Sequence, residues 1–181
     1  MPPKLPKTRS QSPIRSAAAP KTSRSGNGRS SESVDDYLKA IYSLSGDEHR
    51  RVGSTELAQR LVVAPASVTN MLQKLAAVQR SPIDYERGKG VRLSAAGRRR
   101  ALEIVRHHRL IETFLYEVLG YPIEELHDEA ERLEHFISER FEARVAARLE
   151  NPTSDPHGHC IPALDGTMPP QHGVSCNCYR P

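Results

Sequence analysis

From Ser33 onward the apolar residues fall into runs whose periods differ, and the periods name the elements. Val34, Leu38, Ile41, Tyr42 and Leu44 recur at the spacing of one helical face, with Ser33 placed to cap the helix and Ser45 and Gly46 to end it. Ser54 opens a second helix carrying Leu57, Ala58 and Leu61, and residues 62–64 connect it to a third that starts at Pro65 and buries Val68, Met71, Leu72 and Leu75. Two short helices across a tight turn form a helix-turn-helix. The period then shortens to two: Ile83–Glu86 and residues 91–93 alternate as strands around Arg87, Gly88, Lys89 and Gly90. A hairpin directly after a helix-turn-helix is the wing of a winged-helix domain. Helical spacing returns from Ser94 through Ala101, Leu102, Val105, Leu110, Ile111, Phe114, Leu115 and Val118 to Gly120, again after Pro122, and again from Ser138 through Phe141, Val145 and Leu149.

The pattern predicts a mainly α fold: an N-terminal winged helix-turn-helix with a small β-hairpin wing, followed by an all-α dimerisation domain. Four segments follow: a disordered basic arm at 1–32, the DNA-binding domain at 33–96, a helical metal-binding and dimerisation domain at 97–150, and an irregular tail at 151–181. So much apolar helix surface on so few residues implies burial against a second copy, and a homodimer presents two reading helices to a pseudo-palindromic operator.

Composition changes this picture at the ends. The net charge of +4 is concentrated in residues 1–32, which hold seven Lys or Arg and one acid, Glu32, among Pro, Ser and Ala, while the remainder is slightly acidic. Such an arm buries too little to offset its ordering entropy, and it either adds salt-sensitive phosphate contacts or serves only as a solubilising tail. No apolar run has the length of a membrane span or the form of a signal peptide, so a cytoplasmic protein without membrane contact is expected. Cys160, Cys176 and Cys178 lie near the C-terminus and leave the domains without a disulfide framework.

Two groups of residues carry candidate chemistry. At the entry and N-terminal half of the third helix, Ala64, Ala66, Ser67, Thr69 and Asn70 are placed to meet base edges, Gln73 and Lys74 to reach the DNA backbone, and Arg87 and Lys89 to touch phosphates from the wing. The second is the word HDEAERLEH, which sets His127, Glu131, Glu134 and His135 on neighbouring turns of one helix, with His108 and Glu112 four apart upstream. Two imidazoles and two carboxylates in one volume suit a divalent metal; a solvated acidic face is the plain alternative. The chain lacks an HExxH word, a nucleophile elbow and a phosphate loop, so an enzyme, and with it a small-molecule substrate, is not expected. A metal-gated regulator leads, followed by a metal-independent winged-helix regulator and then a metallohydrolase.

Over about residues 33–166 the chain resembles the diphtheria-toxin-repressor family of metal-dependent transcriptional regulators, manganese-responsive branch. The resemblance rests on VDDYLKAIYSL, ELAQRLVVAPASVTNMLQKL, RGKGVRLSAAGR, HHRLIETFL and HDEAERLEH, with the PHG and IP that follow. It implies a primary metal site of Asp36, Glu131, Glu134 and His135, an ancillary site lined by His108, Glu112 and His127, and repression of metal-ion uptake genes. An Asp, two Glu and a His make a hard, oxygen-dominated shell that points to Mn²⁺ first and Fe²⁺ second. Metal would fix the angle between the two halves; without it the clustered carboxylates are expected to repel and the first helix to swing. Three departures stand out. Lys39 occupies a position where some manganese regulators have a further glutamate, residues 79–82 form a longer and more polar segment expected to distort the start of the wing, and the third, barrel-like domain of many relatives is expected to be absent or truncated.

Overall fold

The computed structural model describes residues 27–46 and 50–170. The elements run α1 (Asn27–Ser45), α2 (Ser54–Leu61), α3 (Pro65–Ala76), β1 (Ile83–Glu86), β2 (Gly90–Leu93), α4 (Ala95–Glu117), a 3₁₀ turn (Ile123–Glu125), α5 (Leu126–Leu133) and α6 (Glu139–Arg148). Most of the basic arm, and Cys176 and Cys178, lie outside the described residues.

Two boundaries differ from the sequence reading. Helix α1 starts at Asn27, so Ser33 is an interior residue and not a cap. Each residue added to an established helix gains a hydrogen bond, and polar residues without an apolar face can therefore extend it. Helix α5 ends at Leu133, which leaves Glu134 as its C-cap, with its N–H bonded to the Ala130 carbonyl at 2.9 Å, and His135 in the turn beyond. The chain must turn there because Ser138, whose hydroxyl accepts from the Phe141 N–H, caps α6. The segment 79–82 enters the wing through Arg80, at a left-handed φ of +61°, and Ser81, whose hydroxyl donates to the Leu75 carbonyl at 2.9 Å and accepts from the Ile83 N–H at 3.1 Å.

The wing is a two-stranded antiparallel sheet pairing Ile83 with Leu93 and Glu86 with Gly90. Val52 adds a bridge, exchanging backbone hydrogen bonds of 2.7 and 2.9 Å with Val91. Gly90 is required at this crossing, since its φ is +94° and a Cβ would come within 2.4 Å of the Val52 carbonyl oxygen.

Helix α4 is the spine. Its first half sends Ala101, Leu102 and Val105 into the core formed by Leu38 and Ile41 of α1, Leu57 of α2, Val68 and Leu72 of α3, and Ile83 and Val91 of the wing. Its second half packs Leu110 against Val145, Ala146, Leu149 and Ile161, and Ile111 and Leu115 against Leu126 and Ala130. Each fully buried Val, Leu or Ile among them contributes about 1.5–3 kcal/mol. The helix thus serves both cores and runs without a break past the expected boundary at 96. At its far end and on the following helices, Tyr116, Leu119, Ile123, Leu133, Phe136 and Phe141 are exposed. Among the described residues no helix is long and apolar enough to cross a membrane.

Candidate metal centre

Helix α1 delivers three polar side chains to its junction with α4 and α5. Asp35 is buried and gripped by the Arg100 guanidinium, with Nε donating to Oδ1 at 2.8 Å and Nη2 to Oδ2 at 2.7 Å. Burial would raise its pKa, but His135 and Arg100 beside it outweigh that and hold the carboxyl below the usual carboxylate range. This bidentate pair anchors α1 to α4. Asp36, the next residue, is half-exposed and places Oδ1 3.0 Å from His135 Nε2. Lys39, one turn on, donates from Nζ to Glu131 Oε1 at 2.6 Å and to Glu134 Oε1 at 2.7 Å.

The other half of the site comes from α5 and its terminal turn. Glu134 is 1 % exposed; its Oε2 is 2.5 Å from His108 Nδ1 and its Oε1 3.4 Å from His135 Nε2. The turn is held from behind by His107, whose Nδ1 lies 3.1 Å from the Glu134 carbonyl oxygen and whose Nε2 lies 3.2 Å from Glu142, itself paired with Arg106. One donor atom from each of Asp36, Glu131, Glu134 and His135 lies within 4.8 Å of the others. All four residues of the primary set are therefore brought together, two of them by a turn and not by the helical face that the sequence suggested.

The ancillary residues are brought together beside them. His108 Nε2 is 3.1 Å from both Glu112 Oε1 and His127 Nδ1, and His127 Nε2 is 3.8 Å from Glu131 Oε1. His108 thus touches both groups, one through each ring nitrogen. A third cluster sits on the loop after α6, where Asp155 Oδ1 accepts the backbone N–H groups of His157 and His159, and Oδ2 lies 3.0 Å from His159 Nδ1. His157 Nδ1 reaches to 3.7 Å from Glu112 Oε2, which joins this loop to the ancillary residues. The alternate spacing of Asp155, His157 and His159 was the available sequence signal for it. A cleft of about 620 Å³ runs between α1, α4, α5 and this loop, lined by Lys39, His108, Glu112, His127, Glu131 and Asp155 among others.

Charge within the site is balanced by the chain itself, contrary to the expectation of mutually repelling carboxylates. Two like charges 4 Å apart would repel by roughly 4 kcal/mol at the effective dielectric of a protein surface. Instead Glu131 and Glu134 face the Lys39 ammonium, and burial of Glu131 is outweighed by that ammonium, which lowers its carboxyl. The Asp35 and Asp36 carboxylates hold His135 up at about 10. For His108, burial favours the neutral ring, yet the Glu112 and Glu134 carboxylates prevail and raise it to about 9. The roles of Asp35, Arg100 and His107 were not legible, because each depends on a partner at least 27 residues away in the chain.

The donor chemistry fits a hard divalent cation: three carboxylates and one imidazole, with no sulfur. His135 Nδ1 is buried without a hydrogen-bond partner, 3.6 Å from Asp35 Oδ2, so its Nε2 is the atom aimed into the group.

At the entry of α3 and along it, Ala64, Ala66, Ser67, Asn70, Gln73 and Lys74 are exposed, and Arg87 and Lys89 are exposed at the wing tip. Thr69 is half-buried and its hydroxyl donates to the Pro65 carbonyl at 3.1 Å, while Lys89 pairs with Glu86 at 2.7 Å. Val62, which closes α2, has φ +54° while 91 % exposed, a left-handed conformation that a β-branched residue rarely adopts.

Comparison with known proteins matches residues 30–81 to the N-terminal DNA-binding domain of iron-dependent repressors, and residues 94–163 to the metal-binding and dimerisation domain of the same group. A helix-turn-helix type transcriptional regulator of Methanocaldococcus jannaschii is 35% identical over 120 residues, covering 66% of this chain and 94% of that protein. The iron-dependent repressor IdeR of Mycobacterium leprae is 35% identical over 134 residues, covering 74% of this chain and 56% of its own length. Among solved structures, a manganese-dependent transcriptional repressor in complex with manganese superposes with a TM-score of 0.68 at 43% identity, over 75% of this chain and 61% of that one. The chain thus spans little more than half the length of the iron and manganese repressors it matches.

Proposed function

Because the chain belongs to the iron-dependent repressor family, in its manganese-responsive branch, we propose that it is a DNA-binding transcriptional repressor of metal-ion uptake genes with Mn²⁺ as corepressor and Fe²⁺ as second choice. One observation carries the reading: Asp36, on the first helix of the DNA-binding half, lies within 4.8 Å of Glu131, Glu134 and His135 from the other half.

Asp36, Glu131, Glu134 and His135 would hold the ion, with His108, Glu112 and His127 as an ancillary set approached by His157. A bound divalent cation would supply the positive charge that fixes these donors at one distance from each other. Asp36 is rigidly coupled to α3, since Leu38 and Ile41 of the same helix share a core with Val68 and Leu72. Fixing Asp36 against Glu134 therefore fixes the recognition helix against the dimerisation half. The Arg100 grip on Asp35, next to Asp36, holds this part of α1 against α4. To offer its Nε2 lone pair to an ion, His135 would have to be unprotonated there, so loading would release a proton.

Reading of DNA is assigned to Ala64, Ala66, Ser67, Thr69, Asn70, Gln73 and Lys74 of the third helix and its entry, with Arg87 and Lys89 on the wing. The exposure of most of these side chains supports it. The exposed apolar side chains of Tyr116, Leu119, Leu133 and Phe141 support a homodimer through the helical half, which would set two copies of α3 on a pseudo-palindromic operator. A hydrolytic role for the cluster has no counterpart in this family of repressors.

The deciding experiment is operator binding by the purified protein with Mn²⁺ and with a chelator. Binding that tightens at least tenfold with Mn²⁺ is expected. Equal affinity in both conditions would make the chain a metal-independent regulator.

A further inference from the structure

Lys39 is the one departure from the family pattern that lands inside the proposed ligand set. It stands one turn beyond Asp36, and its ammonium bonds Glu131 Oε1 at 2.6 Å and Glu134 Oε1 at 2.7 Å. Glu134 Oε1 is also the oxygen 3.4 Å from His135 Nε2, and His135 Nε2 is in turn 3.0 Å from Asp36 Oδ1. The ammonium and the four proposed donors therefore converge on the same small volume. This is no solvated surface pair, since the Lys39 side chain is 17% exposed and that of Glu134 is fully buried.

A buried carboxylate requires a compensating cation. Glu134 has such a cation in Lys39, and a divalent ion at coordination distance from the same oxygen would meet the ammonium's positive charge head-on. One of the two must leave. Lys39 has a flexible four-carbon stem, and it lines the cleft of about 620 Å³ beside His127 and Glu131, so there is space for it to withdraw into.

We propose that Lys39 is an intramolecular competitor for the primary metal site: its ammonium and the divalent ion use the same Glu131 and Glu134 oxygens, so that loading exchanges one for the other. The cost of expelling Lys39 sets the metal concentration at which the chain responds. This rests on the assignment of Asp36, Glu131, Glu134 and His135 as ligands. It also gives Lys39 a second effect, in that the Lys39 contacts tie α1 to α5 when no metal is present and hold the two halves near the arrangement that loading completes.

Two measurements at fixed pH test it. Mn²⁺ affinity is read by competition with a fluorescent chelator for the wild type, Lys39→Met, Lys39→Gln and Asp36→Asn. Separately, acylation of Lys39 in the wild type by an amine-reactive ester is followed by mass spectrometry with and without saturating Mn²⁺, with exposed Lys74 as internal reference. The competitor role predicts that both Lys39 variants bind Mn²⁺ at least tenfold more tightly, and that labelling of Lys39 relative to Lys74 rises several-fold on loading. Unchanged or weaker affinity in the variants, or unchanged Lys39 labelling in the Mn²⁺-saturated wild type, would overturn the proposal and leave the repressor reading standing. The labelling arm needs no variant and decides the matter if the substituted chains fold poorly. Failure of the wild type to bind Mn²⁺, or equal binding by Asp36→Asn, would instead remove the ligand assignment and this inference with it.

Discussion

Asp36 is the cleanest point at which to break the site, because its carboxylate is half-exposed and its buried partner His135 would still face Asp35 and Glu134 after its loss. Asp36→Asn is expected to lower Mn²⁺ affinity by a factor of ten to a hundred (on the order of 1.4–2.8 kcal/mol) and to remove the metal response of operator binding. The dimer should remain, as light scattering would report. Glu134 is a poorer choice, since its removal would leave Lys39 and His108 without the carboxylate that both face. On the DNA side Asn70 is exposed and has both amide donors and acceptor free to pair with an adenine edge. Asn70→Ala should lose about 1–3 kcal/mol of discrimination between true and scrambled operators. Mn²⁺ affinity should not change, and titration of both DNAs against the variant, alongside a metal titration, checks the two halves of that statement.

At the scale of elements, the seam between wing and α4 is the least forgiving place in the fold. Ser94 caps α4 by accepting from the Gly97 N–H at 3.2 Å, its own N–H donates to the Pro82 carbonyl, and its hydroxyl donates to the Ser81 carbonyl at 3.0 Å. A Cβ on Gly97 would lie 1.9 Å from the Pro82 carbonyl oxygen, which is backbone and has no rotamer with which to move aside. Gly97→Ala should therefore cost about 3 kcal/mol of stability, at the upper end of overpacking penalties, seen as a lowered midpoint in urea. Periodicity located this seam well: Ser94 was read as the start of the helix and Gly88 and Gly90 as the hairpin tip. It could not read the close approach of Pro82 to Gly97, which joins two elements that are separate in the pattern. The end of α5 is the other such place. Helical spacing carried HDEAERLEH through as one face, but the cap of α6 at Ser138 forces a turn, and that turn is what aims Glu134 and His135 inward.

Over the whole molecule, a charged junction joins α1 to α4 and α5, and the charge of that junction depends on pH. The neighbouring carboxylates raise His135 to about 10, and against the opposing effect of burial raise His108 to about 9. A histidine raised in the folded state adds stability that is fully present below its ordinary value of about 6.5 and is lost as pH climbs through the folded value. The metal-free protein is therefore expected to lose thermal stability between about pH 7 and pH 10. Mn²⁺ affinity should rise over the same interval, because the imidazolium proton on His135 competes with the ion. Thermal melts and calorimetry at several pH values test both slopes, and a flat affinity profile would count against His135 as a ligand. At the far end of the molecule Leu119 is 55% exposed beside Tyr116 and Ile123, on the surface assigned to the second copy. Leu119→Glu should shift the protein toward monomer in light scattering and weaken operator binding in parallel, with metal affinity little altered.

The sequence alone determined what depends on neighbours along the chain. The helical and alternating periods gave the winged helix-turn-helix, the long helix and the acidic segment, and the residue types gave a hard-metal donor set, because local spacing controls which side chains share a face. Tertiary structure decided what depends on distance in space. Only the packing of α1 against α4 and α5 shows that Asp36 meets Glu131, Glu134 and His135, that Asp35 and not Asp36 is the buried partner of Arg100, and that Lys39 supplies a positive charge to two proposed metal ligands. Electrostatic partners across more than 60 residues leave no periodic trace, since a Coulombic contact is fixed by where the folded backbone brings two charges and not by the interval between them.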